Sequence, residues 1–211
     1  MISLLQYIFE TVLSNDLSKE FKIEEISDNE ANKLLEGING FEKLGANDMS
    51  DIMFWENSIH YKMIYKNKCL GLFALCDFNQ NIEGDYERFL IKLFYKIFND
   101  YQNFIKSSIY VTYLIMVSDN QKELDISPIA TIKVFFDKLK DICKKQKKEY
   151  IFAHGKDERI TRLYCKCGGF KYLKDFYTEK DIQWANILSL DDSLDNALMY
   201  SLSNKYSEFK K

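Results

Sequence analysis

The stretch ITRLYCKCGGFKYL, residues 160–173, is predicted to join the end of a helix to the start of a strand. Ile160, Leu163 and Cys167 recur at the spacing of one helix face. The glycine pair that follows, Gly168-Gly169, predicts a helix C-terminus at which a glycine adopts the left-handed conformation. The sequence after it, GFKYLKDFYT (169–178), predicts a strand.

The two cysteines of this stretch do not have the spacing of a metal site. A structural zinc site normally uses Cys-x2-Cys twice, whereas Cys165 and Cys167 are separated by one residue. Two helical residues at this spacing point to roughly opposite faces, so they cannot share one ion. His154 and Cys143 are the other candidate ligands. We therefore expect no metal, and we disfavour a redox or nucleophilic role for Cys165 and Cys167.

Composition predicts one α/β domain and excludes several classes of partner. The chain has 211 residues, of which 46% are apolar, and its formal net charge of -3 gives no general attraction to nucleic acid. No apolar run is long enough for a transmembrane helix, and residues 1–16 predict an amphipathic helix rather than a signal peptide. Five irregularly spaced cysteines fit a reducing, cytoplasmic location. We expect neither a nucleic-acid nor a membrane partner.

The first half of the chain predicts alternating strands and helices. The predicted elements are a strand over 21–27, a capped helix beginning at Asp28, a weaker helix between Gly40 and Trp55, a hairpin over 59–78 with its turn at Lys66-Asn67-Lys68, an aromatic helix over 85–105 and a central strand over 107–118. The aromatic helix is expected to shield the sheet. The alternative is a surface through which two copies form a homo-oligomer.

The second half begins with a strong helix signal, since Ser127 is a good N-cap and Pro128 fits the first helical position. The four lysines at the end of this helix are expected to stabilise its C-terminus rather than to form a binding patch: Lys144, Lys145, Lys147 and Lys148. The later predicted elements are a buried strand at 149–155, the helix and strand of the opening stretch, a strand over 181–190 and a helix over 191–211.

This order predicts an α/β fold with a mixed sheet and helices on both of its faces. We expect a single domain over 1–211. Its core would occupy about 21–190, with helical extensions at 1–16 and 191–211.

The layout and the opening stretch resemble the GNAT (GCN5-related N-acetyltransferase) superfamily. The family's helix-then-strand ending, A-x-x-L-Y-x-K-x-G-F-x, is matched by Leu163, Tyr164, Lys166, Gly169 and Phe170, with one extra position in the stretch Cys167-Gly168-Gly169. The resemblance covers roughly residues 21–190. The distal part is also similar to GNAT-like proteins of phage genomes.

The resemblance implies an N-acetyltransferase that transfers the acetyl group of acetyl-CoA to an amine of a small molecule or a protein. In such a fold the pantetheine arm pairs with the backbone of the central strand, here Ile109–Val117. A backbone N–H among Ile115, Met116 and Val117 would polarise the thioester carbonyl.

The resemblance also places the CoA pyrophosphate at the start of the next helix, on Ile129, Ala130 and Thr131. Asp157, seven residues before Tyr164, stands where the family often has Asn and would also contact the cofactor. The family's glycine loop, Q/R-x-x-G-x-G/A, has its nearest match in DISPIA (125–130), which lacks glycine, and Pro128 has no N–H to donate.

The resemblance implies that Tyr164 protonates the departing thiolate, since a phenol stays protonated at neutral pH. His154, at the end of a predicted strand, is the preferred general base. His60 opens the hairpin and is less well placed. Asp119 and Glu123 follow the central strand and are further candidates, although loop acids are usually only solvated.

A second hypothesis is a GNAT-fold protein without catalytic activity that serves as a binding or assembly component, in a phage context. The missing glycine loop, the added aromatic helix and the terminal extensions favour it. The two hypotheses differ in whether acetyl-CoA binds.

Overall fold

The computed structural model describes residues 17–37, 58–77, 94–95, 100–155, 158–176 and 197–203, apart from the side chains of Lys174, Phe176 and Ala197. The strands are β1 (Lys22–Ile26), β2 (Ser58–Tyr65), β3 (Lys68–Asp77), β4 (Ser108–Met116), β5 (Tyr150–His154), β6 (Lys171–Tyr172) and β7 (Ala197–Ser201). The helices are α1 (Asp28–Glu36), α2 (Tyr101–Ser107), α3 (Ser118–Glu123), α4 (Pro128–Lys145) and α5 (Glu158–Leu163). A π-helical turn (Tyr164–Gly168) continues α5, and a 3-10 turn (Leu173–Phe176) follows β6.

The seven strands form one mixed sheet in the order β1-β2-β3-β4-β5-β7-β6. The β4–β5 pair is parallel, while β1–β2, β5–β7 and β6–β7 are antiparallel. A parallel pair requires a long crossover, and α3 and α4 supply it. The predicted mixed sheet with helices is confirmed.

The chain divides into two compact units. Unit 1 comprises Met1–Leu75 and Thr112–Leu139, and unit 2 comprises Cys76–Val111 and Lys140–Lys211. The chain passes from one unit to the other within β3, β4 and α4.

In unit 1, the predicted cap of α1 and the predicted hairpin turn are both confirmed. The Ser27 hydroxyl accepts a hydrogen bond from the N–H of Glu30, which caps α1. The hairpin turns at Lys66 and Asn67, whose φ angles of 47° and 60° are those of a two-residue turn that matches the twist of its strands.

Helices cover both faces of the sheet in unit 1. Ala31 and Leu35 of α1 pack with Leu72, Ala74 and Tyr113. Side chains alternate along a strand, so Phe73 points to the other face, where its ring meets that of Phe135 of α4 edge-on at 5.0 Å.

In unit 2, residues 101–105 of the predicted helix over 85–105 are helical, but the helix is not continuous, because it is interrupted at Asp100. Asp100 has non-helical angles and caps a separate helix, α2, by accepting a hydrogen bond from the N–H of Asn103 at 3.1 Å. Phe94 and Phe104 are buried, and Phe94 meets Phe152 of β5 edge-on, so these two rings cover the sheet as predicted. The remainder of 85–99 lies outside the described residues apart from 94–95, and the homo-oligomer surface stays a prediction.

Lys148 does not belong to an exposed lysine cluster. Its side chain is 6% exposed, and its ammonium lies 2.6 Å from a carboxylate oxygen of Asp77. It also donates to the carbonyl of Lys106 at 2.9 Å. In unit 2 this lysine therefore joins the chain after α4 to the ends of β3 and α2.

The predicted helix over 191–211 is wrong for residues 197–201, which form β7. This strand pairs with β5 on one side and β6 on the other, and Leu198 and Met199 are fully buried. The four-residue spacing of Leu198 and Leu202 mimics a helix face, but pairing on both edges of the strand outweighs that local pattern. The sheet thus extends beyond the predicted core boundary at residue 190.

Three other predictions lie outside the described residues: the N-terminal helix over 1–16, the helix between Gly40 and Trp55, and the strand over 181–190. Within the described ranges, no helix has the length and apolarity needed to cross a membrane.

Candidate active site

The C-terminal half of β4 extends beyond its pairing with β5. The register joins Ser108–Val111 to Tyr150–Ala153 and goes no further, although β4 continues to Met116. Residues 112–116 of β4 therefore pass the last registered pair of β5. An extended backbone of this kind can hydrogen-bond a ligand as an added strand would.

At the end of β4, the residues predicted to bind the thioester are Ile115, Met116 and Val117. Their backbone N–H groups do not all point to the same edge of the strand. The N–H of Val117 donates to the carbonyl of Leu70 on β3 at 2.9 Å, so it is already engaged. Backbone directions alternate along an extended strand, so we expect the N–H of Met116 to point to the opposite edge of β4. Among the three predicted donors, Met116 is therefore the one oriented away from β3.

Two contacts fix this part of β4 and the helix after it. A Cβ on Gly71 of β3 would lie only 2.5 Å from the carbonyl oxygen of Ile115, so the two strands approach more closely than any other residue type allows. The side-chain amide of Asn120 in α3 donates to the carbonyl of Cys69 at 2.7 Å. The segment of α3, which the sequence analysis treats as a loop, is helical.

The start of α4 confirms the predicted Ser-Pro cap, but it offers few donors to an anion. The Ser127 hydroxyl accepts from the N–H of Ala130 at 3.5 Å, and the Ser127 carbonyl accepts from the N–H of Thr131 at 3.1 Å. Ala130 and Thr131 are also buried, whereas Ile129 is half-buried. Two of the three predicted pyrophosphate donors thus already have partners within the chain.

The loop before α4 replaces glycine with an aspartate in an unusual conformation. Asp125 has φ 52°, in the left-handed region that Asp tolerates better than most residues. The predicted alternative bases on α3, Asp119 and Glu123, are both exposed and form ion pairs with Lys122 and Lys68 respectively. Their ion pairs and exposure agree with the interpretation that they are solvated surface acids.

In unit 2, the extra position of the GNAT-like ending coincides with the π-helical turn. A π-turn closes its hydrogen bonds over one more residue than an α-helix does, so it absorbs one inserted residue without breaking the helix. Gly169 then has φ 74° and donates its N–H to the carbonyl of Cys165 at 3.2 Å. The predicted left-handed glycine stop is confirmed at Gly169.

Tyr164 is the first residue of this π-turn, and its side chain is buried. Only 5% of it is exposed, and its ring meets that of Phe170 edge-on at 5.3 Å. Burial raises the pKa of the Tyr164 hydroxyl above its usual range, so the group is protonated at neutral pH. A group that protonates a departing thiolate must be accessible to it, and little of the Tyr164 side chain is exposed.

His154 ends β5, as predicted, and its ring is held by an aromatic neighbour. The Tyr110 hydroxyl lies 3.0 Å from its Nδ1. The adjacent Gly155 is required for close packing, since a Cβ there would lie 2.9 Å from the backbone nitrogen of Thr161 in α5. Asp157 lies outside the described residues, so its predicted contact with the cofactor stays a prediction.

The other histidine, His60, is buried in unit 1. Its Nδ1 lies 2.8 Å from the Tyr113 hydroxyl, and its Nε2 lies 3.6 Å from a carboxylate oxygen of Asp28. Burial lowers the pKa of His60, and the charge of Asp28 partly offsets this. The sequence did not predict either tyrosine partner, because their contacts depend on strand register.

Two chemical roles of the cysteines, metal binding and nucleophilic attack, can be compared with the structure. Within the described ranges, no group of three or more His, Cys, Asp or Glu side chains is placed to hold a metal ion. Burial raises the pKa of the Cys165 thiol, and the charge of Asp175 raises it further. The thiolate, which is the nucleophilic form, is therefore disfavoured at neutral pH.

A scan against protein-family models found no match for this sequence, and a search of curated proteins found none either. One solved structure with a similar arrangement is an IAA acetyltransferase from Bacillus cereus ATCC 14579, at 12% identity and a TM-score of 0.42. The match covers 74% of this chain and 85% of the acetyltransferase chain. A chimera of the spermidine N-acetyltransferase SpeG from Vibrio cholerae and hSSAT has 11% identity, a TM-score of 0.46 and coverages of 88% and 99%. Tetrahymena GCN5 has 13% identity, a TM-score of 0.45 and coverages of 98% and 93%. All three structures are similar to this chain at 13% identity or less and at TM-scores below 0.5.

Proposed function

We propose that the protein is an N-acyltransferase that transfers the acetyl group of acetyl-CoA to an amine. The observation that carries the proposal is the run of β4 beyond its pairing with β5, residues 112–116, which provides an extended backbone for a pantetheine arm. The GNAT-like ending of the sequence supports the same function.

In this reaction the amine nitrogen attacks the thioester carbonyl carbon and forms the C–N bond. Negative charge develops on the carbonyl oxygen and is relieved when the C–S bond breaks and the thiolate leaves. The amine loses one proton and the thiolate gains one. The protein must therefore supply a donor to the oxygen, a base for the amine and an acid for the sulfur.

We assign the donor to the backbone N–H of Met116. The N–H of Val117 is engaged by Leu70, and alternation along the strand directs that of Met116 to the other edge. A fixed backbone donor of this kind stabilises charge that develops in the transition state, and loss of one such donor typically costs about 10²-fold to 10³-fold in rate.

We assign the acid to Tyr164 and the base to His154. Burial keeps the Tyr164 phenol protonated, as an acid requires. Only 5% of the Tyr164 side chain is exposed, so this role requires the thiolate to reach that exposed part. His154 is half-buried and ends a strand, which leaves its ring closer to solvent than that of the buried His60.

The start of α4 offers few hydrogen-bond donors to a CoA pyrophosphate. The Ala130 and Thr131 N–H groups already have acceptors in Ser127, and Pro128 has no N–H. We therefore propose that the helix dipole of α4 and the N–H of Ile129 contribute only modestly, and that binding depends chiefly on the pantetheine arm.

The N–H groups of Ala130 and Thr131, which already have acceptors in Ser127, also favour a second candidate function. This is a GNAT-fold binding or assembly protein that does not use acetyl-CoA. A helix start whose donors are satisfied within the chain has less need of a phosphate ligand.

A transfer assay separates the two functions. Purified protein would be incubated with acetyl-CoA and a panel of polyamines, amino acids and lysine-containing peptides, and released CoA thiol would be measured. Amine-dependent thiol release supports the N-acyltransferase. Thiol release equal to the protein-free rate across the panel, together with no acetyl-CoA binding, supports the binding protein.

A further inference from the structure

Three rings lie together on one face of the sheet at the end of β5. Tyr110 on β4 is in register with Phe152 on β5, and His154 follows Phe152 by two residues, so all three side chains share a face. The ring centroids are 5.7 Å apart for Tyr110 and Phe152, 5.5 Å for Phe152 and His154, and 5.9 Å for Tyr110 and His154. This packing limits the rotation of the imidazole.

The Tyr110 hydroxyl occupies one nitrogen of that imidazole. It lies 3.0 Å from Nδ1 of His154, and Tyr110 is only 4% exposed. Since Nδ1 is engaged, a proton exchanged between His154 and a substrate must pass through Nε2. A neutral imidazole carries its single proton on one of its two nitrogens. Whether Nδ1 donates to Tyr110 or accepts from it therefore determines whether Nε2 is unprotonated or protonated.

We propose that Tyr110 is a positioning residue that holds His154 with its proton on Nδ1 and its lone pair on Nε2. In this tautomer Nδ1–H donates to the Tyr110 oxygen, and Nε2 accepts a proton from the acceptor ammonium. The bond to Tyr110 is the same before and after that transfer, so no group has to reorient. The inference rests on the proposed function, because it gives His154 the task of deprotonating an amine.

The proton balance is complete without another reactant. The ammonium N–H bond breaks, its proton forms a bond to Nε2, and the released amine lone pair attacks the thioester. The imidazolium keeps Nδ1–H on the Tyr110 oxygen, a charge-assisted bond that is stronger than the neutral one. The half-buried His154 then returns its proton to solvent.

The second histidine of the chain shows why exposure matters. His60 makes the same kind of contact, with Nδ1 2.8 Å from the Tyr113 hydroxyl, but only 3% of His60 is exposed. The two histidines share the Nδ1–tyrosine contact but differ in exposure, which favours His154 as the base and His60 as a structural residue. It also provides an internal control, because the chain contains two histidines.

The test is nitrogen NMR of histidine-labelled protein, which distinguishes the two tautomers directly. His60→Gln assigns the two sets of resonances. We expect the proton of His154 on Nδ1 in the wild type and on Nε2 in Tyr110→Phe, which keeps the ring and removes only the hydroxyl. Tyr113→Phe should change the His60 signals and leave those of His154 in place, and thermal melting checks that each variant is folded.

A wild-type His154 with its proton on Nε2 would overturn the inference, as would an unchanged tautomer in Tyr110→Phe. With an identified amine, Tyr110→Phe should also lower kcat about 10-fold with the KM for acetyl-CoA unchanged; equal kcat values would equally overturn it. The NMR measurement needs no acetyl-CoA. A protein that shows the expected tautomers but does not bind acetyl-CoA would contradict the proposed function and leave the Tyr110–His154 assignment standing.

Discussion

Gly71 on β3 and Ile115 on β4 approach so closely that a Cβ on Gly71 would lie 2.5 Å from the Ile115 carbonyl oxygen. An added methyl group therefore requires the backbone of β4 to move at the residues assigned to the thioester. The close approach of the two strands constrains the end of β4, where the proposed mechanism uses the N–H of Met116.

We predict that Gly71→Ala weakens acetyl-CoA binding at least 10-fold and lowers stability by about 1–3 kcal/mol, the usual cost of overpacking. Gly37→Ala is the matched control, since a Cβ at Gly37 meets its nearest atom at 3.6 Å and the φ of Gly37 is negative. Calorimetric titration of both variants is the measurement. Equal affinity in Gly71→Ala and wild type would show that the ligand does not use this part of β4.

Removing either partner of the ion pair between Asp77 and Lys148 should lower the stability of the fold, but by different amounts. Asp77→Asn leaves the ammonium of a 6% exposed lysine without its carboxylate, whereas Lys148→Met leaves a carboxylate that is 31% exposed and can hydrate. We predict a loss of about 3 kcal/mol for Asp77→Asn and a smaller loss, about 1–2 kcal/mol, for Lys148→Met. Urea unfolding measures both, with Lys145→Met as the exposed control. The reverse order would mean that Lys148 is hydrated in solution.

Stability should depend on the protonation of His60. Its pKa is lowered in the folded state, chiefly by burial, so the fold favours the neutral ring. An unfolded histidine has a pKa of about 6.5, so the unfolded chain binds the proton first as the pH falls. The stability contributed by the neutral ring is present above about pH 6.5 and is lost at lower pH.

We therefore predict that the free energy of unfolding falls between pH 7 and pH 5, and that His60→Gln reduces this fall. Glutamine keeps a polar partner for the Tyr113 hydroxyl but does not titrate. Parallel unfolding curves for the two proteins at each pH provide the measurement. An identical pH dependence in His60→Gln would assign the effect to other groups.

For Tyr164, we predict that substitution by phenylalanine lowers kcat by about 10²-fold, the usual size for loss of a general acid, with acetyl-CoA affinity almost unchanged. The ring and its packing on Phe170 remain, so the stability loss should be about 1 kcal/mol or less. Steady-state kinetics with an identified amine and a melting curve test the two parts. Turnover at the wild-type rate would remove Tyr164 from the mechanism.

The sequence predicted those elements whose signals are local. Ser27 and Ser127 cap helices, Lys66-Asn67 turns the hairpin and Gly169 stops a helix, because each depends on the conformations available to a few adjacent residues. The central strand was also predictable, since it is apolar on both faces.

The remaining features depend on pairing between distant segments. A strand of five residues such as β7 carries too short a pattern to distinguish Leu198 from a helical position, and its pairing with β5 and β6 decides the outcome. The partners of His60 and His154 follow from strand register, and the burial of Lys148 follows from where Asp77 ends β3. The two histidines and Lys148 are named in the sequence analysis, but their partners are not.

The most direct test of the central claim is a calorimetric titration of the wild-type protein with acetyl-CoA, with ADP as the comparison ligand. ADP carries a pyrophosphate without the pantetheine arm. If β4 binds the arm, acetyl-CoA should bind one molecule per chain with micromolar affinity and ADP should bind far more weakly, because the α4 start has few donors to offer. No heat of binding with acetyl-CoA at millimolar concentration would contradict the acyltransferase and favour the binding protein.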